Sequence, residues 1–252
     1  MADITLLDVV KIAYTWAPIL MNVIMIIFGV MTLTGRNKAL RILGVWAIIM
    51  PVSGFFQSAA SYLTLMYGAG MLPEDFFRSG TYSSILTVTG IIGFALSISH
   101  LVLRWLYTRR SYGTGKSILI TVLVLTCVSP VLLIITNRVL HDLLSDIQAA
   151  TAYGGSVSLI FTIAITSIFM VVFLRNRSKE KYIPAFWVFD LLIIVSNAIK
   201  YFLYLAVLKN TDNYNFILLY MFICILFGFI LPAASFYLFK ASRVSVNEES
   251  EG

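Results

Sequence analysis

His100 and Arg104 stand four residues apart in the stretch "SISHLVLRWLYTRR" (97–110), with only apolar residues between them. In a helix that spacing puts both on one face. An imidazole and a guanidinium in apolar surroundings can pass a proton, hold an anion or pair with a carboxylate. A carboxylate occurs at Asp190 in a second apolar stretch, "FWVFDLLIIVSNAIKYFLYLAVL" (186–208), and Lys200 follows ten residues later. Ten helical residues span about 15 Å, too far for Asp190 and Lys200 to pair directly.

At 100° per residue, Asp190, Ser196, Asn197, Lys200, Tyr201 and Tyr204 fall within an arc of about 140°. That is a single polar stripe. Charges near a bilayer centre are costly and usually face a cavity or a partner. Asp190 lies about 9 Å along the axis from Pro184, far for so short a side chain to reach water. Lys200 is open to two readings, lining a polar cavity or snorkelling to the outer surface.

Other chemistry is excluded. A metal site needs three or four clustered His, Cys or carboxylate ligands, and the chain has two histidines, His141 and His100, assigned to opposite sides. No G-x-S-x-G element precedes a helix, which leaves a Ser-His nucleophile without its elbow. No enzyme activity, metal or cofactor is expected.

The elements that must position these side chains are set by composition. Of 252 residues, 60% are hydrophobic and 12% charged, against about 25% charged in soluble chains. The apolar residues form seven runs, roughly 12–34, 42–67, 83–107, 117–136, 156–174, 184–208 and 216–239. Each is about 20 residues or more, long enough to cross about 30 Å of hydrocarbon as a helix. None alternates with period two, as a membrane barrel would require. The expected fold is an all-α membrane protein, a seven-transmembrane helix bundle over residues 1–240 with a short cytoplasmic tail, 241–252. The first run is too long, and its flank too poor in basic residues, for a cleaved signal, and reads as an anchor.

Thirteen of the eighteen Lys and Arg fall in "TGRNKALR", "RWLYTRRSYGTGK", "RNRSKEKY" and "KASR", and four fall on the opposite side, while Lys200 lies within a span. By the positive-inside bias the N-terminus is outside and the C-terminus inside. This distribution argues against nucleic acid as a partner. The basic loops are explained equally by topology with lipid headgroups and by a protein partner. Cys127 and Cys224 both fall inside apolar runs, so no disulfide is expected.

Pro18, Pro51, Pro130 and Pro232 interrupt runs one, two, four and seven, and each tends to kink its helix. Gly29, Gly90 and Gly93 read as sites of close helix packing. Aromatic residues near span ends, among them Trp16, Trp46, Trp105, Tyr107 and Trp187, read as interfacial belts.

Seven helices with short loops is also the size of microbial rhodopsins. The seventh run has no lysine, however, and the sole intramembrane lysine is Lys200 in the sixth, so retinal is a minor reading. The pattern resembles more closely the serpentine, rhodopsin-like G-protein-coupled receptors, in particular the divergent chemoreceptors of nematodes. Asn22 sits at the depth of that family's first-helix asparagine, and "GRNKALR" (35–41) looks like its basic first inner loop. "SISHLVLRWLYTRR" resembles the end of its third helix, "TCVSP" (126–130) its fourth, and "LPAASFYLFKASR" (231–243) the proline, tyrosine and basic segment that end its seventh. The third-helix acid before the arginine is missing, Leu231 replaces the asparagine before Pro232, and Tyr237 is further from that proline. The buried aspartate of the second helix, the proline of the sixth and the cysteines of the outer disulfide are also absent.

The resemblance implies a receptor that signals to a heterotrimeric G protein from the plasma membrane. The ligand would be small and held in an outward-facing cavity, with Gln57, Ser61, Lys200, Tyr201 and Tyr204 as candidate contacts and Pro232 as a hinge. In that arrangement the inner ends of helices three and six meet at rest and part on activation. Arg104 would then pair with Asp190 as an activation switch, with His100 in support; for Arg104 alone, reaching lipid phosphates is the other reading. The competing function is a secondary transporter that uses Asp190 and Lys200 for substrate or ion coupling. A structural subunit without a ligand is a third.

Overall fold

In lipid every backbone N–H and C=O must be satisfied within its own segment, and helices are the solution open to apolar runs of this length. A computed structural model of the chain describes residues 6–57, 63, 66, 72–73, 75–76, 79–143, 147–176, 186–209 and 214–243. Its helices are α1 (Leu6–Leu33), α2 (Arg41–Gln57), α3 (Gly80–Tyr112), α4 (Lys116–Leu143), α5 (Ile147–Arg175), α6 (Phe186–Lys209), α7 (Tyr214–Gly228) and α8 (Ile230–Arg243). No strand occurs among the described residues.

Five stretches are long and apolar enough to cross a membrane: Val9–Leu33, Gly80–Tyr112, Lys116–Thr136, Phe186–Val207 and, through α7 and α8 together, Tyr214–Arg243. The apolar helices Arg41–Phe56 and Leu159–Arg175 are shorter. The chain is an integral membrane protein. One side of α1 presents Ile12, Trp16, Leu20, Val23, Ile27 and Val30 to the surroundings, a stripe of i, i+3 and i, i+4 spacing that suits acyl chains.

Local chemistry sets the helix ends. The Ser79 side chain caps α3 by accepting from the Tyr82 N–H at 3.2 Å. At the other end Gly113 adopts φ 71°, and its N–H donates to the Arg109 carbonyl at 3.0 Å. That left-handed C-cap favours glycine. Pro18, Pro51 and Pro130 lie inside continuous helices. Pro232 has no N–H to offer the Gly228 carbonyl, and the seventh stretch breaks one turn before it, at Phe229.

Each helix packs on the next in chain order, and α7 and α8 return to α1, closing a ring. Within it α3 also touches α5, and α8 touches α2 and α6. Gly29 and Gly44 let α1 and α2 approach until a Cβ on Gly29 would meet the Gly44 carbonyl at 2.9 Å. Gly90 has a different role from the one its type suggested, since a Cβ there would meet nothing within 4 Å.

The dense core gathers toward the end that carries the basic connections. Leu40, Leu43, Trp46, Leu101, Trp105, Tyr107, Phe169, Phe173, Phe186 and Leu238 form one buried cluster. Trp46, Trp105 and Tyr107 are therefore core residues and not interfacial ones; Tyr107 is fully buried, and the Trp105 indole donates to the Gly115 carbonyl at 3.2 Å. The α1–α2 connection docks on the end of α8, where the Asn37 N–H donates to the Ser242 carbonyl at 3.3 Å. A Cβ on Gly35 would collide with Ser242, its nearest approach being 2.5 Å. This contact places the basic segments 36–41 and 240–243 on one face of the bundle.

Candidate functional site

Most hydroxyls within the helices are satisfied locally. Thr32, Thr89, Thr126 and Ser235 each donate to the carbonyl four residues back, at 2.7 to 3.0 Å, as expected in apolar surroundings. Arg104 and Asp190 have no such recourse. They are 6% and 2% exposed, and a charge so enclosed needs a partner of opposite sign.

They find each other. Arg104 Nη2 lies 2.9 Å from Asp190 Oδ1 and 2.6 Å from Oδ2, which joins α3 to α6. The guanidinium also lies over the Phe169 ring, 4.3 Å from its centroid, with Trp46 at 5.8 Å and Phe173 at 5.6 Å. Aromatic faces attract a cation, and more so away from water. One guanidinium thus ties together α3, α2, α5 and α6. The reading in which Arg104 reaches lipid phosphates is excluded by this geometry.

Arg104 lines one end of a cavity of about 1110 Å³, which is lined from α2, α3, α4, α5, α6, α7 and α8, and Asp190 lies behind it, outside the lining. Trp46, His100 and Arg104 line it at one end, and Asn197 and Lys200 line it along α6. Ser97 also lines it and is held by Ser53 of α2, whose hydroxyl lies 2.8 Å from Ser97 Oγ and donates to the Gly93 carbonyl at 3.0 Å. Gly90 belongs to the wall and not to a helix contact. Phe227, Gly228, Ile230 and Leu231 bring the α7–α8 break to the same cavity.

Of the five residues expected to contact a ligand, the cavity holds Lys200. Tyr201 and Tyr204 are not in its lining. The Tyr201 hydroxyl is hydrogen-bonded to Ser156 of α5, and the Tyr204 ring packs on Tyr220 of α7 with centroids 6.1 Å apart. Both tie α6 to its neighbours: Tyr201 sits at the edge of the stripe, and Tyr204, on the same side as Asn197 and Lys200, lies about one turn further along the axis. Gln57 ends α2, and its side chain lies outside the described residues, as does all of Ser61. His100 lines the cavity, but the pair forms without it.

The sequence reading missed Trp46, Phe169 and Phe173. For Trp46 a signal existed: Leu43, Trp46, Met50 and Ser53 repeat at i, i+3 and i, i+4 spacing, which marks an inward face. For Phe169 and Phe173 the signal was faint: Thr162 and Thr166 precede them at i, i+3 and i, i+4 spacing, but the apolar residues of α5 favour no side. In comparisons with known proteins, no family model, curated protein or solved structure matches the chain.

Proposed function

We propose that the chain is a seven-helix plasma-membrane receptor that binds a small ligand in this cavity and signals through its basic inner face. The observation that carries the reading is the Arg104–Asp190 pair, which joins α3 to α6 and whose arginine lines the cavity. A ligand that fills the cavity touches the residues around the pair, so its binding can bias whether α3 and α6 are joined or apart. An equilibrium of this kind responds to a ligand only through different affinities for the two states. The break at Phe229, one turn before Pro232, gives α7 and α8 a joint beside the same cavity. A heterotrimeric G protein is the partner that the serpentine resemblance implies, and the basic residues around segments 36–41, 109–116 and 240–243 would form its seat.

The test is nucleotide exchange on purified heterotrimeric G proteins by the protein in lipid nanodiscs, with and without ligand. Stimulated exchange that rises in Asp190→Asn supports the reading. A second reading, a transporter, draws on Lys200 in the cavity and the broken α7–α8 stretch. Solute uptake by reconstituted vesicles, with no exchange on any G protein, would establish it instead.

A further inference from the structure

Three buried nitrogens, on side chains at one end of the cavity, have no hydrogen-bond partner among the described residues: Trp46 Nε1, Arg104 Nε and His100 Nδ1. Trp46 and Arg104 are 3% and 6% exposed, and all three side chains line the cavity. Indole and guanidinium nitrogens only donate, whereas imidazole can do either. Buried donors left unmatched are rare in folded proteins and call for an explanation. What this end of the cavity lacks is an acceptor.

We propose that the cavity binds a long-chain amphiphile with one acidic head, whose carboxylate accepts from Trp46, Arg104 and His100. The proposal rests on the receptor reading and names the class of its ligand. The charge balance favours an acid over a neutral carbonyl compound. The lining carries two bases of fixed type, Arg104 and Lys200, and the carboxylate of Asp190 is already engaged by Arg104. A carboxylate also makes stronger, charge-assisted bonds to the same donors.

The rest of the cavity suits a hydrocarbon chain. Met50, Leu86, Phe94, Leu101 and Leu133 line it, and its volume is slightly above the usual range for small-molecule sites. Its wall reaches the outside of the ring between α3 and α4, where Ile91 and Ile134 both line the cavity and are 65% and 67% exposed. α3 and α4 are joined by three residues yet pack less closely than any other consecutive pair from α1 to α7. In a bilayer that opening faces acyl chains, so the ligand enters sideways from the membrane. Seated on the Nε edge of Arg104, its head brings a second negative charge beside Asp190. Like charges that share one cation repel, and this loosens the α3–α6 pair.

The test uses the full chain in phosphatidylcholine nanodiscs with radiolabelled palmitate and radiolabelled hexadecanol as probes, and empty nanodiscs as the baseline. Saturable palmitate binding above that baseline is expected, with hexadecanol showing none. Trp46→Phe should weaken it by about tenfold or more, the loss of a hydrogen bond to a charged acceptor. Arg104→Lys, which keeps a cation for Asp190 and removes Nε, should weaken it similarly; it serves as the readout if Trp46→Phe does not fold. Three results overturn the proposal: palmitate no better retained than in empty nanodiscs, hexadecanol bound equally well, or binding lost in Lys200→Met while the Trp46 and Arg104 variants bind as the parent does. Trp46-dependent palmitate binding without any nucleotide exchange supports the site and counts against the receptor reading. Exchange driven by another ligand, with palmitate inert, leaves that reading standing and overturns the proposal.

Discussion

A single nitrogen of Arg104 on α3 reaches both carboxylate oxygens of Asp190 on α6, at 2.9 and 2.6 Å, under a roof of three aromatic rings. The two residues are 86 positions apart in the chain. Their helices are not neighbours in sequence order, so the pair braces the ring across its interior. Removing one partner leaves the other charge buried, which costs about 3–5 kcal/mol.

Breaking the pair should act on signalling and on stability together. Asp190→Asn is expected to raise basal nucleotide exchange and lower the thermal midpoint. Arg104→Asp should impair signalling, with partial rescue when Asp190→Arg is added. Unchanged basal exchange in a well-folded Asp190→Asn protein would remove the switch role and leave a structural brace.

Lys200 should behave differently. It lines the cavity and has no carboxylate partner among the described residues, so Lys200→Met strands no opposite charge. The variant should fold and melt much as the parent does and differ in its response to ligand. Because Asp190 belongs to Arg104, adding Asp190→Asn should be additive in stability within about 0.5 kcal/mol. Recovery of a poorly folded Lys200→Met protein by Asp190→Asn would show that the two charges do depend on each other.

The glycines of α1 and α2 give a test of packing alone. A Cβ on Gly29 would come within 2.8 Å of Ile48 Cγ1 and 2.9 Å of the Gly44 carbonyl oxygen, and a backbone atom in a helix cannot swing aside. Gly29→Ala should destabilise by about 1–3 kcal/mol. Gly54→Ala, where a Cβ would meet nothing within 4 Å, should be neutral or slightly stabilising. Thermal unfolding of the two variants in one detergent makes the comparison.

The sidedness of the bundle is open to a direct measurement. An epitope tag on residues 240–252 should be reached by antibody after permeabilisation of cells and not before, because the basic segments 36–41 and 240–243 share a face and the positive face stays in the cytoplasm. Labelling of intact cells would invert the topology and, with it, the proposed direction of signalling.

By itself the sequence determined that the chain crosses a membrane as helices, which of its connections carry the positive charge, and that Arg104 and Asp190 lie at matching depth. Those properties follow from run length, composition and the 1.5 Å rise of a helix, all local to each segment. Only the tertiary structure decided which neighbour each helix face meets. In water, the change from apolar to polar marks the buried side of a helix. In lipid, the outside is as apolar as the core, so the period that would have assigned Phe169 and Phe173 to Arg104 is faint in α5. The same ambiguity made Trp46, Trp105 and Tyr107 look interfacial when they are core, and made one polar stripe on α6 look like one site. The structure divides that stripe, giving Asp190 to Arg104, Asn197 and Lys200 to the cavity, Tyr201 to Ser156 and Tyr204 to Tyr220. Charges were the exception to the ambiguity. A buried carboxylate needs a cation or a proton, and that requirement, taken with the arrangement of helices three and six that the resemblance implies, pointed to one long-range contact.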